Sequence, residues 1–425
     1  MEVFFVANNR ALSFIHMSDI HFNKNSGDGY DMDNELRQAV INDLIQNSKK
    51  YMDVVDGVLI CGDLAYSGQE REYEIAKEFL SEVIEIYGLG LHDVFCVPGN
   101  HDVDQGLIKE SQIIESMQAF IVDVDKKEQN KLDDCIRKVQ NDPYIQGILY
   151  KAISTYNDSV LEMASDFSVE NPIWQSEKKL NDEYVLSIYG MNSVLTSNHR
   201  DHYINEITNS WEEREMVMNR TQIPKPREKV IYMSLCHHPP ECWINKNLSE
   251  YMDERVKIQL YGHKHIQKID ANNKRLRISS GALQPVRGND WFPRYNWIKI
   301  YIEDNELVIW VYPRKYNDIK AKFECDYDSL ENDDKSKEYK IIKIHLEEYD
   351  NDVEENSSEM ENMRKTTTLT KEIVYRFCIL PNAKKKSILR KYSCINYESN
   401  KIDDLLEQLK LNSIEDVFLD ELRRM

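Results

Sequence analysis

The stretch VFCVPGNHDVD, residues 94–104, decides the fold. An apolar run of β-branched and aromatic residues ends in a Pro-Gly pair, and Asn100, His101 and Asp102 follow at once. Such a run predicts a short buried strand, and Pro-Gly predicts a tight turn after it. The three polar side chains would then lie at the carboxyl end of a strand, where open α/β sheets bind their ligands.

The composition limits the class of protein. A chain of 425 residues with 41% hydrophobic content can bury a large core and still have an accessory domain. The net charge of -20 argues against non-specific binding to nucleic acid or to an anionic membrane. Cysteines within apolar runs, no CxxC pair, and no signal or membrane-spanning segment predict a cytoplasmic protein with reduced thiols.

Four other apolar runs end in the same way as the opening stretch. They are LSFIHM before SDIH, GVLICG before DLAY, VIYMSLC before HHPP, and IQLYG before HKH. Amphipathic stretches lie between the first three strands and predict the crossover helices of parallel strand pairs. The fold class is therefore α/β, and the polar residues at five strand ends predict one site at one sheet edge.

The pattern of short apolar runs changes along the chain and predicts a domain organisation. Residues 105 to about 180 are polar with helical patterning and no comparable strand, which predicts a helical insertion near the site. Strands resume afterwards, with Asp304-Asn305 as a hairpin turn, so a second sheet is expected. Residues 317–366 are acidic and predict a linker, and residues 367–425 predict a small helical domain.

The strand ends carry residues that ligate metals. Imidazole, carboxylate and amide oxygen suit first-row divalent metals such as Mn, Fe, Zn or Co. Side chains alternate along a strand, so a D-x-H or H-x-H pair at a strand end is expected to present both side chains to the same side. The candidates are Asp19, His21, Asp63, Asn100, His101, His237, His238, His263 and His265.

Five motifs in order resemble the calcineurin-like metallophosphoesterase superfamily. They are D-x-H, G-D, G-N-H-D, H-x-P and G-H-x-H, spread over roughly residues 12–315. The resemblance implies a four-layer α/β/β/α sandwich with two mixed sheets, formed here by residues 1–316. The linker and a small all-α C-terminal domain would follow.

The same resemblance implies two divalent metal ions, with Mn expected to serve in assays, and a metal-bound hydroxide as nucleophile. His101 would contact the phosphate and protonate the leaving oxygen, and Asp102 would orient the His101 ring. The H-x-P motif assigns the ligand to His237 and leaves His238 facing elsewhere. The implied ligands are Asp19, His21 and His265 for one metal, Asn100, His237 and His263 for the other, and Asp63 as the bridge.

The motifs also bear on the reaction. G-N-H-D and H-H-P-P resemble the cyclic-nucleotide and glycerophosphodiester phosphodiesterases, whereas the protein phosphatases of the superfamily have Glu at the position of Asp102. A phosphodiester, from a nucleotide or a nucleic acid, is therefore the expected substrate. Alternatives are a DNA or RNA nuclease, a nucleotide pyrophosphatase, a protein phosphatase, or a non-catalytic scaffold.

The C-terminal segment suggests a partner. FCILPNAKKKSILRKYSCIN resembles the death-like, effector-associated helices attached to enzymes of bacterial conflict systems. The resemblance implies a protein partner for residues 367–425 and a recruitable effector in antiphage defence. The competing interpretation is a helical tail that packs on the catalytic domain or forms a dimer.

Overall fold

The computed structural model describes most of the chain up to residue 346 and a few residues beyond it. The described residues are 10–346 without 24–30, 32, 123–128, 169–171, 206–209, 214, 285–291 and 331–336, then 388–389, 391–392, 409 and 414–423. Contacts between Cα atoms divide the chain into two units, Met1–Glu347 and Glu348–Met425.

Strands and helices alternate in the first half of the chain. The strands are β1 Leu12–Met17, β2 Gly57–Ile60, β3 Val94–Cys96, β4 Ile173–Lys179, β5 Val185–Met191, β6 His202–Asn205, β7 Ser210–Glu213, β8 Val230–Cys236, β9 Ile258–Tyr261, β10 Lys268–Ala271, β11 Leu276–Ser279, β12 Arg294–Glu303, β13 Glu306–Asn317, β14 Lys322–Cys325 and β15 Lys340–His345. The α-helices are α1 Asn34–Asn47, α2 Glu70–Glu85, α3 Gln105–Glu110, α4 Gln112–Val122, α5 Gln129–Gln140, α6 Pro143–Tyr150, α7 Ser154–Ser159, α8 Leu248–Arg255, α9 Tyr327–Leu330 and α10 Glu415–Arg423.

The first sheet has the strand order β14-β13-β12-β1-β2-β3, and β15 also pairs with β13. β1, β2 and β3 are parallel, as the crossover helices α1 and α2 require, and the other pairings are antiparallel. The hairpin between β12 and β13 turns at Asp304 and Asn305, with φ values of 50° and 60°. The predicted turn is confirmed.

The second sheet has the order β10-β11-β9-β8-β5-β4. Its four central strands are parallel, and its two edge strands are antiparallel. Apolar side chains of both sheets join one buried cluster, so the main core lies between the sheets. The two mixed sheets of the predicted sandwich are confirmed.

Strands also occur where the sequence analysis expected none. β4 lies within the predicted helical insertion, and β14 and β15 lie within the predicted acidic linker. All three are edge strands, and exposed residues alternate with less exposed ones along β4 and β15. Polar residues on the outer face made these segments look solvated, and the first sheet extends to His345.

A buried ion pair fastens α1 to the first sheet. Arg314 on β13 donates to both carboxylate oxygens of Asp43, at 2.9 and 2.6 Å, and Tyr295 donates to the same carboxylate at 2.5 Å. The guanidinium also lies 4.6 Å from the centre of the Trp297 ring. These hydrogen bonds compensate the cost of burying both charges.

The second unit is described in part. α10 lies within the C-terminal segment that was predicted to be helical, and Phe418 of this helix is fully buried and packs on the Tyr392 ring. Ile388 and Leu409 are also buried. The rest of the predicted helical domain, and most of the segment from 347 to 366, lies outside the described residues. Among the helices that are described, none has the length and apolarity needed to span a membrane.

Candidate metal centre

The candidate ligands follow five parallel strands, three of the first sheet and two of the second. Asp19 and His21 follow β1, Asp63 follows β2 and Asn100 follows β3. The second sheet contributes His237 after β8, and His263 and His265 after β9. The structure therefore brings the ligands implied by the resemblance together where the carboxyl ends of both sheets meet.

The backbone is left-handed at three of these strand ends, those of β1, β2 and β9. Asp19, His21 and Asp63 each have a φ of 53°, and His263 and His265 have φ values of 70° and 56°. Left-handed backbone costs about 1–2 kcal/mol per non-glycine residue and tends to occur at functional sites. The expected alternation along an extended strand is therefore wrong, because the D-x-H and H-x-H pairs lie beyond the strand and turn there.

Asp19, His21, Asp63 and His265 form one group whose ligand atoms all lie within 4.8 Å of one another. His265 Nε2 is 3.0 Å from Asp19 Oδ1. His21 is 7% exposed, and neither of its ring nitrogens has a hydrogen-bond partner. Buried imidazole nitrogens without partners are costly, so this observation fits a metal ligand.

Asn100, His237 and His263 lie beside this group. Asn100 Oδ1 is 3.0 Å from both His237 Nε2 and His263 Nδ1. The other nitrogen of His237, Nδ1, lies 2.8 Å from the Cys61 carbonyl oxygen and donates to it, which leaves Nε2 facing the site. A metal ligand commonly has its second ring nitrogen held in this way.

Asp63 is adjacent to both groups. Its Oδ2 is 3.9 Å from His21 Nε2 and 3.4 Å from His237 Nε2. Gly99 lies so close that a Cβ there would collide with the Asp63 carboxylate, which explains the glycine before Asn100. One carboxylate thus reaches the ligands expected for both metals.

The electrostatics of the site favour cations. Burial acts to raise the pKa of Asp63, but the charge of His237 and its hydrogen bond hold that pKa well below its ordinary value. Burial acts to lower the pKa of His237, but the attraction of Asp63 raises it to about 9. Burial lowers the pKa of His21 to about 4. Ionised carboxylates and neutral imidazoles are the forms that bind metal, so a bound cation would replace the proton that Asp63 stabilises on His237.

His101 lies at the accessible side of the site. Its backbone N–H donates to Asp63 Oδ1 at 2.8 Å, and its Nδ1 lies 2.8 Å from the Tyr66 carbonyl oxygen. Its ring centre is 4.7 Å from that of His21. The Tyr66 carbonyl therefore orients the His101 ring, and Nε2 is left for a substrate.

The predicted role of Asp102 as the partner of the His101 ring is wrong. Its carboxylate folds back and accepts hydrogen bonds from the amides of Leu64, Ala65 and Gly99, at 3.2, 2.9 and 2.8 Å. Tyr73 O–H donates to it at 3.0 Å. Because Asp102 is 1% exposed and satisfies three amides, it fixes the two loops that carry Asp63 and Asn100.

His238 was expected to face away from the site, and this expectation is also wrong. The residue is fully buried, and its ring centre lies 4.3 Å from that of His263. Its Nδ1 is 2.9 Å from Ser193 Oγ, whereas Nε2 has no hydrogen-bond partner. His237, His238 and His263 form a second group that could hold a metal ion. The His-His pair was the only sequence signal.

Comparison with known proteins places the chain in a family. The calcineurin-like phosphoesterase family model matches residues 12–267, which is more than half of the chain. The chain belongs to the calcineurin-like phosphoesterase family. Members of this family use divalent metals, and the cluster of His and Asp side chains could hold such ions.

Relatives of this calcineurin-like phosphoesterase are distant. The uncharacterized metallophosphoesterase-like protein YydB of Bacillus subtilis is 23% identical over 310 residues, which are 70% of this chain and 59% of that protein. The match thus spans less than two thirds of the relative. Vacuolar Protein Sorting 29 from Cryptosporidium parvum is 11% identical, with a TM-score of 0.32, over 79% of this chain and 98% of that one. The 5'-nucleotidase from Candida albicans is 9% identical, with a TM-score of 0.34, over 70% and 48%.

We predict that Asp102→Asn destabilises this phosphoesterase. The substitution keeps the shape of the side chain but turns an NH2 group toward backbone N–H donors. We expect the free energy of unfolding, measured by urea denaturation, to fall by about 1–3 kcal/mol.

Asp104→Asn is the matched control, because Asp104 caps α3 by accepting from Leu107 N–H, and an Asn oxygen caps equally well. Equal stability of the two variants would contradict the role assigned to Asp102.

Proposed function

We propose that the protein hydrolyses a phosphodiester with two divalent metal ions. The observation that carries the proposal is Asp63, a buried carboxylate within 4 Å of imidazoles on both sides. A shared carboxylate is what holds two cations close together despite their repulsion. When bound, the two cations would acidify a water molecule and neutralise charge on the phosphate.

The proposed ligand sets follow the two groups of side chains. His21 supports the first set, since its buried ring nitrogens have no hydrogen-bond partner. Asn100 supports the second, since its oxygen lies within 3.0 Å of two imidazoles. The sets are Asp19, His21 and His265 for the first metal, Asn100, His237 and His263 for the second, and Asp63 for both.

His101 is the proposed general acid. It is more accessible than the ligands beside it, and the Tyr66 carbonyl fixes its ring at Nδ1. With that nitrogen held, Nε2 is the atom that would contact the phosphate and pass a proton to the leaving oxygen. Asp102 would act one step further away, by fixing the loop on which His101 lies.

The choice of a phosphodiester rests on the motifs. G-N-H-D and H-H-P-P resemble the phosphodiesterases of the superfamily, and Asp102 stands where the protein phosphatases have Glu. The charge of -20 disfavours a polyanionic substrate such as long nucleic acid. A small diester, for example of a nucleotide, is therefore proposed.

The activity test uses bis-p-nitrophenyl phosphate with Mn²⁺. We expect hydrolysis by the wild type, no hydrolysis by Asp63→Ala, and a kcat lowered about 10²–10⁴-fold in His101→Ala, because general acid catalysis contributes that much. His92→Ala is the control, since its side chain is 78% exposed and outside the site.

Equal rates in all four proteins would defeat the assignment of the site. A wild type that is inactive on every diester, monoester and phosphopeptide, with Mn²⁺ present, would favour the scaffold.

We further propose that residues 367–425 recruit this cytoplasmic hydrolase to a protein partner, as an effector in bacterial defence. Two observations support this proposal. The chain from Glu348 to Met425 forms a unit of its own, with Phe418 buried inside it. The resemblance of this segment to effector-associated helices supplies the kind of partner, and the six described cysteines are free thiols, in keeping with a reducing compartment.

Truncation after Glu347 tests this second proposal. We expect kcat/KM on bis-p-nitrophenyl phosphate to be unchanged, because every proposed ligand precedes residue 266, and capture of the partner from the native host to be lost. Phe418→Ala in the full chain should lose the partner in the same way. If truncation instead unfolds the first unit, the segment is a packing tail and the recruitment proposal fails.

A further inference from the structure

A cavity of about 340 Å³ lies between the helical insertion and the loops that follow β5. Its walls include Ile136 and Val139 of α5, Tyr150 at the end of α6, and Asn192 and Leu195 beyond β5. Packed interiors seldom leave voids larger than a water molecule. This volume is instead in the range of pockets that bind small organic ligands.

The lining is largely apolar, and most of its amide groups lie on one side. The insertion contributes mainly aliphatic side chains together with the amide of Gln146, and the opposite wall contributes the amides of Asn192, Asn219 and Gln222 beside Leu195 and Val217. None of the described residues that line the cavity carries a charge. A charged ligand group would lose its hydration here without compensation, so the cavity favours an uncharged group.

The amides are held in fixed directions. Gln222 Oε1 accepts from Asn192 N–H at 2.6 Å, and Gln222 Nε2 donates to the Asn192 carbonyl at 2.9 Å. The Asn192 side chain accepts from Val194 N–H at 2.9 Å and also bonds Tyr150. An amide oxygen can accept a second hydrogen bond, so this wall is preformed and can still bind a polar ring edge.

A short chain of contacts links the cavity to the candidate metal centre. Asn192 follows β5, which is the parallel neighbour of β8, so the ends of both strands lie at one edge. The next residue, Ser193, bonds His238 Nδ1 at 2.9 Å, and the His238 ring packs on that of His263. Asn192 of the cavity wall therefore precedes Ser193, which bonds His238, and His238 contacts the proposed ligand His263.

The insertion is fastened to the loop that forms the other wall. Gln118 of α4, fully buried, donates to the carbonyls of Leu195 and Ser197 at 3.3 and 3.0 Å. It also accepts from the Asn198 side chain at 2.8 Å. These bonds fix the insertion relative to the loop after β5. The separation of the two walls is therefore also fixed, as a specific ligand pocket requires.

We propose that this cavity binds an uncharged heteroaromatic ring of nucleobase size, carried by one arm of the phosphodiester. The inference rests on the proposed phosphodiesterase function and deepens it by naming the substrate class. Aliphatic walls pack on the faces of such a ring, and the amides bond its edge. An alkyl chain would make no hydrogen bonds to the amides of the cavity wall. A bare sugar would leave the aliphatic side chains in contact with water.

The test compares two esters with the same leaving group. One is thymidine 5'-(p-nitrophenyl phosphate), and the other has a methoxy group in place of the base. We expect a kcat/KM at least about tenfold higher for the thymidine ester, because a buried ring contact discriminates by that order. Val139→Phe and Leu195→Phe, which fill the cavity from opposite walls, should lower kcat/KM on the thymidine ester to the value that the wild type has on the methoxy ester.

Ile113→Phe is the matched control, because Ile113 lies on the insertion but is 57% exposed. Equal rates of the wild type on both esters would overturn the cavity's role while the proposed function stands. If neither these esters nor bis-p-nitrophenyl phosphate is hydrolysed, the proposed function fails, and calorimetry with thymidine then tests the cavity by itself. Binding by the wild type and its loss in Val139→Phe support the inference, and no binding by the wild type overturns it.

Discussion

The burial of two carboxylates, Asp19 and Asp63, is the constraint on which the site depends. Both are at most 1% exposed, and an ionised carboxylate in the interior is costly unless cations or N–H donors face it. Imidazoles from two sheets meet this need, and the backbone after three of the strands turns left-handed where it carries these side chains. Strain, burial and charge are therefore all concentrated at one edge.

The two sheets contribute different residues to the site. The first sheet supplies the carboxylates and the Asn100 and His101 loop, and Asp102 ties that loop to the one after β2 through backbone amides. The second sheet supplies three histidines of the proposed ligand sets, with His238 beside them. Beyond its edge, the insertion encloses an uncharged cavity. In the proposed function, residues at the sheet edge catalyse the hydrolysis, and residues of the insertion select the substrate.

Sequence patterns predicted the central strands well because these are buried on both faces and read as continuous apolar runs. The same reasoning missed β4, β14 and β15. An edge strand exposes one face to solvent, so charged residues interrupt its apolar residues and no continuous apolar run appears. The convergence of the five strand ends was predictable from parallel topology. The contacts of Asp102 and His238 were not, because a turn can fold a side chain toward either loop, and sequence does not record that direction.

Metal content at the ends of the strands tests the central claim most directly. Anomalous diffraction from crystals grown with Mn²⁺ should show two ions per chain, one beside Asp19, His21 and His265, and one beside Asn100, His237 and His263, with Asp63 in contact with both. Asp63→Ala should lose both ions. A single ion held by His237, His238 and His263, with none beside His21, would contradict the account.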